Sequence, residues 1–173
     1  NCLQTVQLDH EIPMKYGIKQ CIGDTIGPGG IMKALRTGPD WLDILHDAED
    51  LSPDALVLNY TNPMAMLCRA VQLASDVKVV GLCHSVQGTS EMLARWIDLP
   101  YDEVSYSVAG IHHQSWVLEF TRGKEDLYPR LREAAQDPRK TMDDRVRFEL
   151  MKHFGYFVTE SSRHNSEYLP YFR

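Results

Sequence analysis

The sequence lacks any apolar run long enough to cross a membrane. A transmembrane helix needs roughly 18 or more consecutive apolar residues, and none of the 173 residues lies in such a run. The first residues also lack the basic, apolar and small-residue order of a secretory signal peptide. These absences argue against membrane-spanning and exported proteins, and we expect a cytoplasmic protein.

The sequence also lacks an excess of positive charge and a regular cysteine pattern. The 18 Lys and Arg residues are outnumbered by 24 Asp and Glu residues, which gives a net charge of −6. Nucleic acid and anionic membranes are therefore poor partners. The four cysteines show no Cys-x-x-Cys pair, and we expect reduced thiols; they are Cys2, Cys21, Cys68 and Cys83.

The chain has enough hydrophobic residues, 43% of the total, to form a hydrophobic core. The chain starts at Asn1 rather than at a methionine, and neither end resembles a natural domain edge. We therefore expect a middle piece of a longer protein, truncated at both ends.

The centre of the chain predicts a parallel sheet. Apolar runs at 55–60 and 77–82 are typical of parallel strands covered on both faces, and helices are predicted over 64–74 and 88–97. This order is a strand–helix–strand pattern. Asn62 precedes the first of these helices, where it could cap the helix or contact a ligand.

The second half predicts two strands that flank a histidine-bearing bend, over 104–111 and 116–121. Since successive strand residues point to opposite faces, at most one of His112 and His113 is expected to face a common site with Cys83. Two further helices are predicted over 127–135 and 142–154, the second ended by Gly155.

Glycines crowd the stretch 24–30 and predict a tight turn before a helix that starts near Ile31. Backbone N–H groups there could bind an anion or a sugar hydroxyl, or the stretch could be an ordinary loop. Pro39 is predicted to interrupt the helix, which resumes over 41–46.

Cys83 and His84 follow the second predicted strand directly. The carboxyl ends of parallel strands line ligand crevices, so this thiol and imidazole could bind a metal or transfer protons. The alternative is a buried structural cysteine beside a histidine at a helix start.

Five segments carry a family resemblance; they are 24–32, 58–66, 81–88, 109–113 and 157–162. In this order they resemble the NAD- and metal-dependent glycosidases of glycoside hydrolase family 4, particularly melibiase-type α-galactosidases. The resemblance implies an α/β fold: the second half of a Rossmann-like domain, similar to lactate and malate dehydrogenases, over 1–100. An α+β substrate domain is then expected to start within 101–173.

The resemblance also implies a reaction that does not use the pair of catalytic carboxylates found in most glycosidases. NAD removes hydride from the sugar C3, the C2 proton is abstracted, the aglycone is eliminated, water adds and the hydride returns. A divalent cation such as Mn²⁺ stabilises the negative charge. Cys83 and His113 are the implied metal ligands, although a thiolate is a soft ligand for manganese. Either His112 or His113 could face the metal, and His113 is chosen from the order of the motif.

Three further roles come from the resemblance. His84 is implied as the acid that assists the leaving oxygen, or as a substrate contact. Asn62 is implied to bind substrate and cofactor, with helix capping as the alternative. Asp24 is implied to raise the basicity of the C2-proton base, with turn stabilisation as the alternative.

The sequence departs from the family pattern in two ways. His112 stands where the family usually has Asn, and neither a glycine-rich NAD pyrophosphate loop nor the C2 base is found. We therefore expect weak NAD binding by the chain alone. Because Val6 stands where phosphoglycosidases have an arginine, an unphosphorylated α-galactoside such as melibiose is favoured.

Two other readings of the sequence stay open at this point. One is a 2-hydroxyacid dehydrogenase of the lactate and malate type, and the other is an inactive fragment of a family 4 glycosidase. For the full-length enzyme we expect a small-molecule glycoside substrate and a homo-oligomer, either a dimer or a tetramer.

Overall fold

The computed structural model describes residues 3–172 and divides the chain into two compact units. Unit 1 is Asn1–Cys83 and unit 2 is His84–Arg173. No helix within the described residues combines the length and apolarity that a bilayer crossing requires. Cys21, Cys68 and Cys83 form no disulfide, and Cys2 lies outside the described residues.

Unit 1 confirms the predicted parallel strand–helix–strand pattern. Its elements are α1 (Leu3–Lys15), α2 (Gly27–Leu51), β1 (Leu56–Asn59), α3 (Met64–Ala74) and β2 (Lys78–Gly81). The strands β1 and β2 pair in parallel, with Asn59 opposite Gly81. The crossover helix α3 buries Leu67 and Val71, as its apolar spacing predicts.

The predicted interruption at Pro39 is wrong, because α2 runs unbroken through this residue. An interior proline removes one backbone hydrogen bond and crowds the preceding turn. In a helix of 25 residues the remaining hydrogen bonds persist on both sides, and burial of Leu45 anchors the second half. The helix also begins at Gly27 rather than near Ile31.

The glycines at the start of α2 serve the packing of the chain against itself. A Cβ atom on Gly29 would lie 2.2 Å from the carbonyl oxygen of Gly23, and one on Gly30 would lie 2.6 Å from the carbonyl carbon of Thr25. The N–H of Gly29 donates to Gln20 Oε1 at 2.9 Å. The Gly29 N–H is therefore bonded within the protein, while anion or sugar binding by the other backbone N–H groups of this stretch stays a prediction.

Unit 2 combines an antiparallel sheet with helices. Its helices are α4 (Ser85–Trp96), α5 (Tyr128–Ala134), α6 (Pro138–Thr141), α7 (Arg145–Phe154) and α8 (Ser162–Tyr168). Its strands are β3 (Ser105–Ile111), β4 (Gln114–Arg122), β5 (Glu125–Asp126) and β6 (Phe157–Val158). Short 3₁₀ turns cover Tyr101–Glu103, Met142–Asp144 and Pro170–Phe172.

Strand β4 is the centre of the unit 2 sheet and pairs antiparallel with β3, β5 and β6. Its inward side chains Val117 and Phe120 are fully buried against α4, α5 and α7. Gly155 ends α7 in the left-handed conformation at φ +81°, as predicted. The mixed helix-and-sheet arrangement agrees with the predicted α/β class, while a domain boundary near residue 100 stays a prediction.

The prediction that His112 and His113 point to opposite faces is wrong. They form the turn between β3 and β4, and their ring centroids lie 3.7 Å apart. His113 has φ +62°. Strand alternation does not apply to residues in a turn, and the left-handed backbone brings the two rings side by side.

Candidate active site

The carboxyl ends of β1 and β2 bring polar residues of unit 1 to one edge of the parallel pair. Asn62 follows β1 by three residues, and Cys83 follows β2 by two. The N–H of Leu82 donates to Asn59 O at 2.9 Å and extends the pairing beyond β2. Ligand crevices of open α/β sheets lie at such an edge.

Asp24 and Asn62 lie in direct contact within unit 1. Asn62 Nδ2 donates to Asp24 Oδ2 at 3.0 Å, and Lys33 Nζ lies 3.8 Å from the same oxygen. Asn62 does not cap α3, since Pro63 holds the cap position and no side chain accepts a hydrogen bond there. The helix-capping alternative is therefore wrong, and the amide instead bonds to a carboxylate from a distant loop.

Two residues that sequence reasoning missed support this edge. Asn59 is buried; its Oδ1 accepts from Thr61 N at 2.8 Å, so its side chain shapes the turn after β1. A Cβ atom on Gly81 would lie 2.1 Å from Met64 Sδ, so glycine allows α3 to pack closely on β2. A polar residue that ends an apolar strand was the available signal for Asn59.

Cys83 and His84 occupy different environments. Cys83 is half-buried and forms no disulfide, and the alternative of a structural cysteine beside a helix-start histidine stays open. His84 is exposed at the N-cap position of α4, with φ −72° and no side-chain capping bond. The thiol is thus shielded from bulk solvent in part, whereas the imidazole is accessible to a ligand.

Unit 2 contains a cluster of two imidazoles around one carboxylate, which we call the Glu160 cluster: Ser85, His113, Glu160, Ser161 and His164. His113 Nε2 lies 3.3 Å from Glu160 Oε2, and His164 Nδ1 lies 3.3 Å from Glu160 Oε1. The hydroxyl of Ser85 donates to Glu160 Oε2, and the N–H of Ser161 donates to Oε1 at 2.9 Å. The carboxylate therefore joins α4, the β3–β4 turn and the loop before α8.

The surroundings of Glu160 favour its ionised form. Burial alone would raise the pKa of this carboxyl, but hydrogen bonds from the Ser85 hydroxyl and the Ser161 N–H, with the nearby imidazoles of His164 and His113, lower the pKa below its ordinary value. Glu160 is thus a fixed negative charge at neutral pH.

The loop that carries Glu160 is held by a fully buried amide. Asn165 Nδ2 lies 3.3 Å from Thr159 O, 3.3 Å from Glu160 O and 3.0 Å from Ser161 O. Glu160 itself has φ +73°, a left-handed conformation that non-glycine residues seldom adopt. The buried amide and the α8 cap at Ser161 hold this backbone in place.

Sequence reasoning included Glu160 in a family motif but assigned it no role, and His164 was not singled out. A local signal was present for part of this arrangement. Ser161, three residues before His164, matches a helix N-cap pattern, and its hydroxyl accepts from His164 N at 3.4 Å. The long-range contact with His113 has no such local signal.

A parallel strand–helix–strand unit with polar side chains at its carboxyl edge is the arrangement of α/β enzymes that bind ligands there. The chain belongs to glycosyl hydrolase family 4. The model described as "Family 4 glycosyl hydrolase" matches residues 2–99, and "Family 4 glycosyl hydrolase C-terminal domain" matches residues 108–173. The family resemblance seen in the sequence motifs is thereby confirmed.

Curated relatives include two α-galactosidases. That of Bacillus subtilis (strain 168) is 49% identical over 166 residues, which cover 95% of this chain and 38% of the relative. That of Rhizobium meliloti (strain 1021) is 39% identical, over 95% of this chain and 34% of the relative. An α-galacturonidase of Thermoanaerobacterium saccharolyticum is 33% identical. The chain thus spans between about a third and two fifths of the length of these relatives.

Solved structures share the fold. The crystal structure of lplD from Bacillus subtilis superposes with a TM-score of 0.88 at 30% identity, over 98% of this chain and 44% of that chain. The Thermotoga maritima 6-phospho-β-glucosidase, solved with manganese, NAD⁺ and glucose-6-phosphate, gives a TM-score of 0.77 at 22% identity, over 98% and 40%. The predicted fold class is confirmed by these similarities.

Proposed function

We propose that the complete protein that carries this chain is an NAD- and divalent-metal-dependent glycosidase that hydrolyses unphosphorylated α-galactosides. The observation that carries the proposal is the Asp24–Asn62 pair, bonded at 3.0 Å at the edge where Cys83 also follows its strand. The proposal is also supported by the 49% identity to an α-galactosidase. Val6 in place of a phosphate-binding arginine favours the unphosphorylated sugar.

The donor set of the chain fits a divalent metal. Cys83 offers a half-buried thiol outside any disulfide, and His113 offers a buried imidazole beside a carboxylate. Metal-binding histidines usually contact such a carboxylate through their second nitrogen. We therefore propose Cys83 and His113 as the metal ligands, with manganese as the ion, as in the Thermotoga maritima structure.

When bound, NAD supplies a hydride acceptor for the sugar C3, and the cation supplies a Lewis acid for the oxygens that gain negative charge. Asn62, with Nδ2 bonded to Asp24, presents its amide oxygen Oδ1 to the ligand, where it accepts from a sugar or ribose hydroxyl. The negative charge of Asp24 raises the basicity of the group that removes the C2 proton.

The exposed His84 donates a proton to the leaving oxygen as the C1–O bond breaks. An imidazole suits this task because its ordinary pKa lies near neutral pH. The family relationship weighs against the 2-hydroxyacid dehydrogenase, whose chemistry needs neither a metal-binding cysteine nor a sugar leaving group.

The direct test uses the complete protein, freed of metal with EDTA and of NAD by dialysis. We expect p-nitrophenol release from p-nitrophenyl α-galactoside only when both NAD and Mn²⁺ are added back. The matching α-galacturonide and 6-phosphoglycoside should react far more slowly. Oxidation of lactate or malate without glycoside cleavage would support the dehydrogenase instead, and no reaction with any of these substrates would overturn the proposed activity.

Cys83→Ser tests the metal site, with Cys21→Ser as the matched control at an exposed cysteine of the same unit. Loss of a metal ligand should lower Mn²⁺-dependent kcat/KM by at least about 100-fold, since even residues that only support metal ligands are worth 10–100-fold. Cys21→Ser should retain activity. Unchanged manganese dependence in Cys83→Ser would contradict the ligand assignment.

Light scattering on the same samples tests the predicted dimer or tetramer.

A further inference from the structure

We infer that Glu160 is a positioning residue, which fixes the imidazole of His113 so that one defined ring nitrogen is presented to the metal. The inference rests on the proposed function, in which His113 is a metal ligand. It assigns a role to a carboxylate that lies in contact with this histidine but that the proposed reaction does not otherwise use.

The carboxylate of Glu160 is itself firmly held. Each of its oxygens has two neighbours: Ser85 Oγ and His113 Nε2 at Oε2, and Ser161 N and His164 Nδ1 at Oε1. The neighbours come from separate segments of unit 2, so that rotation of the carboxylate would break several contacts at once. A group held in this way can orient a neighbouring ring.

The contact distinguishes the two nitrogens of His113. Nε2 lies 3.3 Å from Glu160 Oε2, within hydrogen-bond distance, so a proton on Nε2 is stabilised by the carboxylate. Nδ1 is then the nitrogen that keeps a lone pair. The tautomer of a metal-binding histidine is set by the partner of its other nitrogen. Glu160 thus selects Nδ1 of His113 as the metal-binding atom.

The backbone angles of His113 and Glu160 indicate that their contact has a functional role. Within residues 3–172, three non-glycine residues have positive φ: Asp98, His113 and Glu160. Two of these three face each other. Left-handed non-glycine residues are energetically unfavourable and persist where surrounding contacts impose them, which is common at functional sites.

The first measurement is metal affinity in the complete protein, read from the electron paramagnetic resonance signal of free Mn²⁺ during titration. Glu160→Gln keeps the shape of the side chain but removes its charge, and we expect the Kd for Mn²⁺ to rise about 10–100-fold. The matched control is Glu119→Gln, an exposed position on β4, which should leave the Kd unchanged. Equal affinity in Glu160→Gln and wild type would overturn the inference.

The second measurement needs no metal. In metal-free protein labelled with ¹⁵N-histidine, long-range ¹H–¹⁵N spectra report which ring nitrogen carries the proton. We expect the Nε2–H form of His113 in the wild type and a mixture of tautomers in Glu160→Gln, with the His113 signal assigned by its loss in His113→Gln. A purely structural role of Glu160 would lower the melting temperature without this change, and would overturn the inference.

The two measurements separate the inference from the proposed function. If the wild-type protein binds no Mn²⁺, the proposed metal site is wrong. The tautomer of His113 in metal-free protein then still tests whether Glu160 orients this ring. Weakened Mn²⁺ binding with an unchanged His113 tautomer would make Glu160 a direct metal ligand, and would overturn the positioning role while the proposed function stands.

Discussion

The two units differ in how their strands bury apolar side chains. On β1 of unit 1, Leu56 and Leu58 are 58% and 57% exposed, whereas Val117 and Phe120 on β4 of unit 2 are fully buried. Parallel strands normally require cover on both faces, while an antiparallel sheet can leave one face to solvent. Within residues 3–172, unit 2 contains its own core, and the parallel pair of unit 1 is covered only in part.

A leucine-to-alanine substitution in each unit tests this difference in burial. Leu127→Ala in unit 2 removes a fully buried side chain and should lower the free energy of unfolding by about 2–5 kcal/mol. Leu58→Ala in unit 1 should change it by less than about 0.5 kcal/mol. Urea denaturation of the 173-residue chain, followed by circular dichroism, measures both.

Equal costs at the two positions would remove the contrast between the units. The same two variants should then be measured in the complete protein. A cost for Leu58→Ala that appears only there would show that the exposed face of β1 is covered by other parts of that protein.

A second pair of variants compares glycines at helix starts. Gly29→Ala in α2 would place its Cβ against the backbone oxygen of Gly23, which cannot rotate away, and should destabilise unit 1 by about 1–3 kcal/mol. Gly88→Ala in α4 meets no atom within 4 Å and should stabilise unit 2 by about 0.5–1 kcal/mol, because alanine favours the helix. Thermal unfolding curves should shift in opposite directions. A stabilised Gly29→Ala would disprove the close packing of the α2 start.

A third pair of variants compares a buried with an exposed tyrosine hydroxyl. Tyr128 OH donates to Val117 O and accepts from Phe157 N at 3.0 Å, so Tyr128→Phe removes one hydrogen bond from each of two buried backbone groups. We expect a loss of about 1–2 kcal/mol. Tyr16→Phe, at a residue of unit 1 that is 80% exposed, should cost nothing measurable.

Burial raises the pKa of Tyr128 to about 12, against an ordinary value of about 10. Its contribution to stability is therefore complete below about pH 10 and is lost as the pH rises towards 12, because the unfolded chain releases this proton first. Urea denaturation between about pH 9 and pH 11.5 should show a steeper decline for wild type than for Tyr128→Phe. Parallel declines would contradict burial of the hydroxyl.

Much of the fold followed from local patterns. The apolar runs predicted β1 and β2, and helix α3 was predicted with its observed ends, because burial on both faces leaves a strong local signal. The side-by-side arrangement of the His112 and His113 rings in the predicted bend, and the unbroken helix at Pro39, were missed. Both depend on contacts and backbone angles that local periodicity does not encode.

The candidate site was predictable only in part. The contact of Asp24 with Asn62 joins residues that the motifs had already singled out. Glu160 and His164 were missed as site residues, because their proximity to His113 depends on the pairing of β6 with β4, which places the loop after β6 beside the β3–β4 turn. Two-residue strands such as β6 have too little sequence pattern to predict that pairing.

The buried Asn165 restricts which residues can occupy its position. Its two amide hydrogens are shared among three successive carbonyl oxygens, and the side chain is fully buried. Aspartate has almost the same size as asparagine, and its codons differ from those of asparagine by a single base. An aspartate here, however, would place a carboxylate oxygen against the three backbone carbonyl oxygens. A single-base change would therefore strongly destabilise this loop, and we expect homologous sequences to avoid aspartate at this position.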